Sequence, residues 1–195
     1  MELRGDFSRM LPRLRQGRLQ QELLVKAARI KSAEVPTAVD CTAGLGEDSL
    51  LLAAAGFTVT LFERDQTIAA LLADALERAA ADPRLAEAVG RMRLVTDDSI
   101  AGLATLPEPP DVVYLDPMFP ARTKSAAVKK KFQLLHHLEQ PCEEEGALVA
   151  AALEARPRKV VIKRPAKGAL LAGMKPSYSI AGKAVRYDVL VPPRP

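Results

Sequence analysis

Cysteine is scarce in this chain: Cys41 and Cys142 are the only two among 195 residues, far apart and without metal-ligand spacing. That excludes a disulfide framework and a cysteine-based zinc site as the source of stability. Nowhere do eighteen apolar residues run together, so no membrane-spanning helix is expected. The first ten residues carry Glu2, Arg4, Asp6 and Arg9 and lack the apolar core of a signal peptide, so a cytoplasmic location is expected. Internal repeats, low-complexity tracts and linkers are also missing. Histidine is nearly absent, and the adjacent His136 and His137 point in different directions on a helix, so no metal is expected. No protein partner is evident.

What the chain does have is enough apolar residues, 48% of the total, for one domain to bury a full core. Residues 1–31 are read as a basic, helical amino-terminal extension and 32–195 as the main domain. The formal net charge is +4, unevenly spread. Residues 1–31 are rich in arginine and lysine, and Arg122, Lys124, Lys129, Lys130 and Lys131 follow one another without an intervening acid. Such clusters are candidate phosphate-contacting surfaces, although an isolated run of this kind is also what a solvated helix face looks like.

Short β-rich runs alternate with Ala/Leu-rich helical patterns, the signature of an α/β protein with a mostly parallel sheet covered on both faces. The strands are expected at 37–41, 58–62, 91–95, 111–115 and 159–163. Helices are expected at 47–55, from 66 to about 81, from 99 to near 106, at 125–139 and at 143–155. The end of the chain changes character, with 178–180 and 184–191 around Gly182 and Lys183 reading as an antiparallel hairpin. A doubly wound, mostly parallel seven-stranded sheet closed by such a hairpin is the Rossmann-like architecture of class I methyltransferases, by analogy of fold.

The chemistry concentrates at the strand ends. Val39-Asp40-Cys41-Thr42-Ala43-Gly44-Leu45-Gly46-Glu47-Asp48 leaves a strand and opens a helix, where doubly wound folds bind nucleotides. Dinucleotides and S-adenosylmethionine both use such a turn. Here a pyrophosphate would face Asp40, Glu47 and Asp48, whereas a carboxylate at Asp40 suits the cationic amino group of a methionine moiety, with Gly44 and Gly46 against its backbone and ribose. Glu63-Arg64 ends the second strand, where an acid can accept both ribose hydroxyls. Asp98-Ser99 follows the third, where an acid suits an adenine amino group and also caps a helix.

Tyr114-Leu115-Asp116-Pro117-Met118-Phe119-Pro120 follows the fourth strand and brings a carboxylate and an aromatic ring to the same edge. Asp116-Pro117-x-Phe119 resembles the Asp/Asn-Pro-Pro-aromatic motif of amino methyltransferases, whose acid accepts hydrogen bonds from the target nitrogen while the ring stacks on the extracted base. The dipeptide alone would pass for a strand-ending turn; its place after the fourth strand makes it the candidate catalytic segment. Lys163-Arg164 closes the fifth strand and is read either as a further RNA contact or as surface ion pairs.

These strings, with Lys124 to Lys130, Leu61 to Arg64, Val160 to Pro165 and the hairpin from Lys183 to Asp188, resemble the ribosomal RNA small subunit methyltransferase J family over roughly residues 25 to 190. The resemblance implies S-adenosylmethionine as cofactor and transfer of its methyl group to the exocyclic N2 of a guanine in 16S rRNA of the small ribosomal subunit. It carries cofactor contacts onto Glu47, Asp48, Glu63, Arg64, Asp98, Ser99 and Asp116, and it implies a shortened amino-terminal extension. Glu47 and Asp98 depart from the family's usual residues at those positions. Other amino methyltransferases of this fold, acting on another RNA guanine, on DNA adenine or on a protein amide, stay open. So does an NAD(P)-dependent oxidoreductase, which would leave Asp116 to Phe119 without a task, and so does an RNA-binding module without catalysis.

Overall fold

In the computed structural model, which describes residues 4–31, 33–117 and 145–193, the strands are β1 (Thr37–Asp40), β2 (Thr58–Phe62), β3 (Met92–Val95), β4 (Val112–Leu115), β5 (Lys159–Pro165), β6 (Tyr178–Ala181) and β7 (Val185–Leu190). They form one sheet in the order β3-β2-β1-β4-β5-β7-β6. The first five are parallel, and β7 runs antiparallel to both β5 and β6. This is the expected sheet, closing hairpin included. The strand order reverses between β1 and β4, the switch point at which open α/β sheets leave a crevice beyond their carboxyl ends.

The helices are α1 (Leu11–Leu14), α2 (Leu23–Ala28), α3 (Glu47–Ala54), α4 (Gln66–Ala80), α5 (Ala86–Val89), α6 (Ser99–Ala104) and α7 (Glu145–Glu154). Asp65 caps α4 through the Thr67 and Ile68 amides, and Asp98 caps α6 through those of Ile100 and Ala101. Each such cap satisfies amides that a helix start leaves without partners. The helix read at 125–139 lies outside the described residues, and the short α5 was not expected.

Side chains alternate across the sheet with the period of two that a strand imposes. Ala38, Val112, Tyr114, Val161, Tyr187 and Val189 join the core on one face, with α3, α5 and the amino-terminal segment. Val39, Val113, Leu115, Val160 and Ile162 pack on the other, against α6 and α7. β4 is buried on both faces, as its nearly unbroken apolar sequence requires. Leu50, Leu51 and Leu52 of α3 are all fully buried, because the amino-terminal segment covers the side of α3 that the sheet does not. Phe7, Met10, Leu19, Leu24 and Val25 belong to that same core. Among the described residues no helix is long and apolar enough to cross a membrane, and no group of three or more His, Cys, Asp or Glu could hold a metal ion.

Candidate active site

The turn from β1 into α3 is held from below. Asp40, 1% exposed, accepts the Ser49 hydroxyl at 2.5 Å and the Thr42 amide at 3.0 Å. Burial pushes its pKa up to about 7, against the pull of those two donors; Asp48 and Asp116 push the same way. The sequence reading had Asp40 hold a ligand's amino group. In the structure the carboxylate lies beneath the turn, bonded to the backbone of its own loop and to Ser49, and orders the loop.

Gly46 is left-handed at φ 75°, and an added Cβ would come within 2.7 Å of Leu72 and 3.2 Å of Phe7. Its missing side chain therefore faces core, so packing and backbone conformation demand glycine here, rather than the approach of a ligand. Gly44, also left-handed at φ 52°, donates its N–H to Glu63 at 3.0 Å. The second Glu63 oxygen accepts the Asp65 amide at 2.9 Å, so one carboxylate joins the ends of β1 and β2. Burial raises the Glu63 pKa against those two amides. Each oxygen keeps a further lone pair for a hydroxyl donor. Arg64 beside it is exposed, Glu47 is half-buried at the start of α3, and Ser99 is half-buried at the start of α6.

Across the switch point, Asp116 and the buried Pro117 leave β4. The Asp116 amide donates to the Thr42 hydroxyl at 2.8 Å, which ties this segment to the β1 turn. The Asp116 carboxylate accepts the Lys163 ammonium at 2.9 Å, and the same ammonium lies 2.7 Å from Asp48. Asp48 also accepts the Tyr114 hydroxyl at 2.6 Å. Strand parity explains the meeting: Tyr114 and Val161 face the α3 side of the sheet, and so do the positions two residues on, Asp116 and Lys163. Burial raises the Asp116 pKa, and Lys163 draws it back.

The structure thus gathers Asp40, Asp48, Glu63 and Asp116 at one edge, with Asp98 at the neighbouring strand end. Thr42, Ser49 and Tyr114 are participants that sequence reasoning did not single out. Thr42 stands two residues after Asp40, the spacing of an Asx turn, and that was a usable signal. Arg164 is corrected from a surface cation to a buried side chain, 4% exposed, whose guanidinium donates to the Ala169 carbonyl. Phe119, Arg122, Lys124, Lys129, Lys130 and Lys131 lie outside the described residues.

A family model described as "Putative SAM-dependent methyltransferase" matches residues 2–192. The chain is 49% identical to ribosomal RNA small subunit methyltransferase J of Thioalkalivibrio sulfidiphilus, over 89% of this chain and 69% of that protein. It is 47% identical to the protein of the same name from Rhodopseudomonas palustris, over 93% and 83%. The chain belongs to the ribosomal RNA small subunit methyltransferase J family.

A solved structure of a SAM-dependent methyltransferase from Neisseria gonorrhoeae is 34% identical and superposes with a TM-score of 0.79, over 98% of this chain and 75% of that one. The methyltransferase J fold is therefore the class I methyltransferase fold, and its cofactor is S-adenosylmethionine. The residues present fit that group. The carboxylates of Asp48 at the start of α3, Glu63 after β2 and Asp116 after β4 suit a cation and a ribose diol, whereas a pyrophosphate would be repelled. The oxidoreductase reading is set aside accordingly.

Proposed function

We propose that the chain transfers the methyl group of S-adenosylmethionine to the exocyclic N2 of a guanine in 16S rRNA of the small ribosomal subunit. The observation that carries this reading is the position of Asp116, beyond the carboxyl end of β4 and across the switch point from the glycine turn, bonded to that turn through Thr42. The curated relatives bear the name of a small-subunit ribosomal RNA methyltransferase.

A guanine amino group is a poor nucleophile because its lone pair is delocalised into the ring. In this reading Asp116 accepts its N–H bonds, which favours a pyramidal, nucleophilic nitrogen, and holds it in line with the methyl donor; positioning and fixed charge supply the rate. The cofactor supplies an electrophilic methyl group when bound. Glu63 would hold its ribose hydroxyls, Asp98 its adenine amino group, and the Asp48 oxygen not bonded to Lys163 its methionine end. Phe119 would stack on the flipped base while Arg122, Lys124 and Lys129 to Lys131 meet the flanking phosphates. A cytoplasmic location goes with this substrate.

The test is methyl transfer from labelled S-adenosylmethionine to small subunits prepared from cells lacking the enzyme, with the modified nucleoside identified by mass. N2-methylguanosine in 16S rRNA is the expected product. Label in another nucleoside, in DNA or in protein would replace the substrate assignment and leave the cofactor assignment standing.

A further inference from the structure

Lys163 is read from the sequence either as an RNA contact or as part of a surface ion pair, and in the structure its ammonium is shared between two carboxylates. Its side chain is 26% exposed, and Nζ lies 2.7 Å from Asp48 and 2.9 Å from Asp116. A phosphate brought to it would meet both acids as well. The three groups come from separate elements: Asp48 from the first turn of α3, Lys163 from β5, and Asp116 from the end of β4. The Tyr114 hydroxyl fixes Asp48 from beneath, and Tyr187 on β7 is the register partner of Lys163.

We propose that Lys163 is a positioning residue for methyl transfer: its ammonium ties Asp116 to Asp48, keeping the Asp116 carboxylate ionised and oriented toward the target amine. The inference rests on the role given to Asp116 above. In this role Lys163 acts through the acid it holds rather than by contact with the reacting atoms.

The surroundings of Asp116 make this cation necessary. Burial and the neighbouring Asp48 both favour the protonated acid, which could accept fewer hydrogen bonds, while Lys163 and Arg164 of β5 oppose them. Among the described residues, Asp40 of β1, Tyr114 of β4, Tyr187 of β7 and Arg13 of the amino-terminal segment are the further titratable and charged groups facing the cluster. Tyr114 and Tyr187 are both held neutral, their pKa values raised first by burial and then by the Asp48 charge. Lys163 stays charged: burial disfavours its ammonium, but Asp48 and Asp116 together outweigh burial and raise its pKa.

The test compares Lys163→Gln, Lys163→Arg and Asp116→Asn in methyl transfer across pH, with kcat and KM for the RNA substrate separated. Lys163→Gln is expected to lower kcat by about ten- to a hundredfold with KM within about threefold. It should also move the acidic limb of the profile up by about one pH unit, as loss of a cation near a carboxylate does. Lys163→Arg should leave that limb in place. If Lys163→Gln does not fold, the displacement of the limb is read in Lys163→Met, which keeps the length and packing of the side chain and removes only its charge. A parental limb in the neutral variants, with Asp116→Asn inactive, overturns the positioning role alone. Asp116→Asn within a few-fold of the parent overturns the role of Asp116 and this inference with it. A raised KM at unchanged kcat would return Lys163 to substrate binding.

Discussion

The Asp116 amide and the Thr42 hydroxyl, 74 positions apart in the chain, meet at 2.8 Å across the switch point of the sheet. This bond joins the segment that follows β4 to the turn that follows β1. Thr42→Val keeps the shape of the side chain but leaves the Asp116 amide without its acceptor. The loss is expected to cost about 1 kcal/mol of stability, in the ordinary range for a partly buried hydrogen bond. It should reduce kcat several-fold, because Asp116 is then held from one side. Denaturant unfolding and single-turnover transfer measure the two effects, and an unchanged rate would show that the amide bond does not orient Asp116.

Much of this edge is legible in the sequence because strand ends and helix starts announce themselves. Asp65 and Asp98 stand directly before helices and cap them, and the Gly44-Leu45-Gly46 turn lies between a β-branched run and a leucine-rich one. What sequence does not disclose is partnership at long range. Lys163 reads as one more cation at a strand end, since Asp116 comes beside it only through the parallel register of β4 and β5, and Asp48 only through the turn that sets α3 over that edge. Gly46 reads as a ligand-facing glycine, because Phe7 and Leu72, the groups it makes room for, are remote in sequence. The burial of Phe7 and Met10 within the arginine-rich start did leave a trace, since Phe7, Met10, Leu11 and Leu14 follow helical spacing.

Gly46→Ala tests that packing. The left-handed backbone at φ 75° penalises any Cβ by about 1 to 2 kcal/mol, and contact with Leu72 at 2.7 Å adds to the strain. The variant should melt several degrees lower and bind S-adenosylmethionine more weakly, since the turn and the start of α3 shift together. Adding Leu72→Ala should not restore the stability, because it relieves the contact while leaving the backbone penalty. A Gly46→Ala variant with parental melting would mean the turn relaxes freely.

Asp40 gives the fold a pH dependence whose sign can be worked out. In the unfolded chain an aspartate loses its proton near pH 3.9; in the folded protein burial keeps it until about pH 7. Between those values the folded state binds more protons, so its stability falls as pH rises, at up to about 1.4 kcal/mol per unit, and levels off above the folded pKa. Asp40→Asn removes that term. The stability of the variant relative to the parent should therefore climb between pH 5 and pH 8, as read by denaturant unfolding at each pH. Parallel curves would mean that Asp40 ionises early and that water reaches it.

The basic run that follows Asp116 in sequence is tested by salt rather than by rate. If Lys129, Lys130 and Lys131 each neutralise a phosphate, replacing all three with alanine removes the counterion release of three contacts. For single-stranded RNA that flattens the slope of log affinity against log salt by about two. Affinity at low salt should fall steeply while the cofactor dissociation constant and melting temperature stay with the parent, because the proposed cofactor contacts are carboxylates and include none of these lysines. The combination matters, since weaker binding alone could follow from a disturbed fold. An unchanged slope would return these lysines to a solvated face and leave the RNA contacts to be sought in the arginines of the amino-terminal segment.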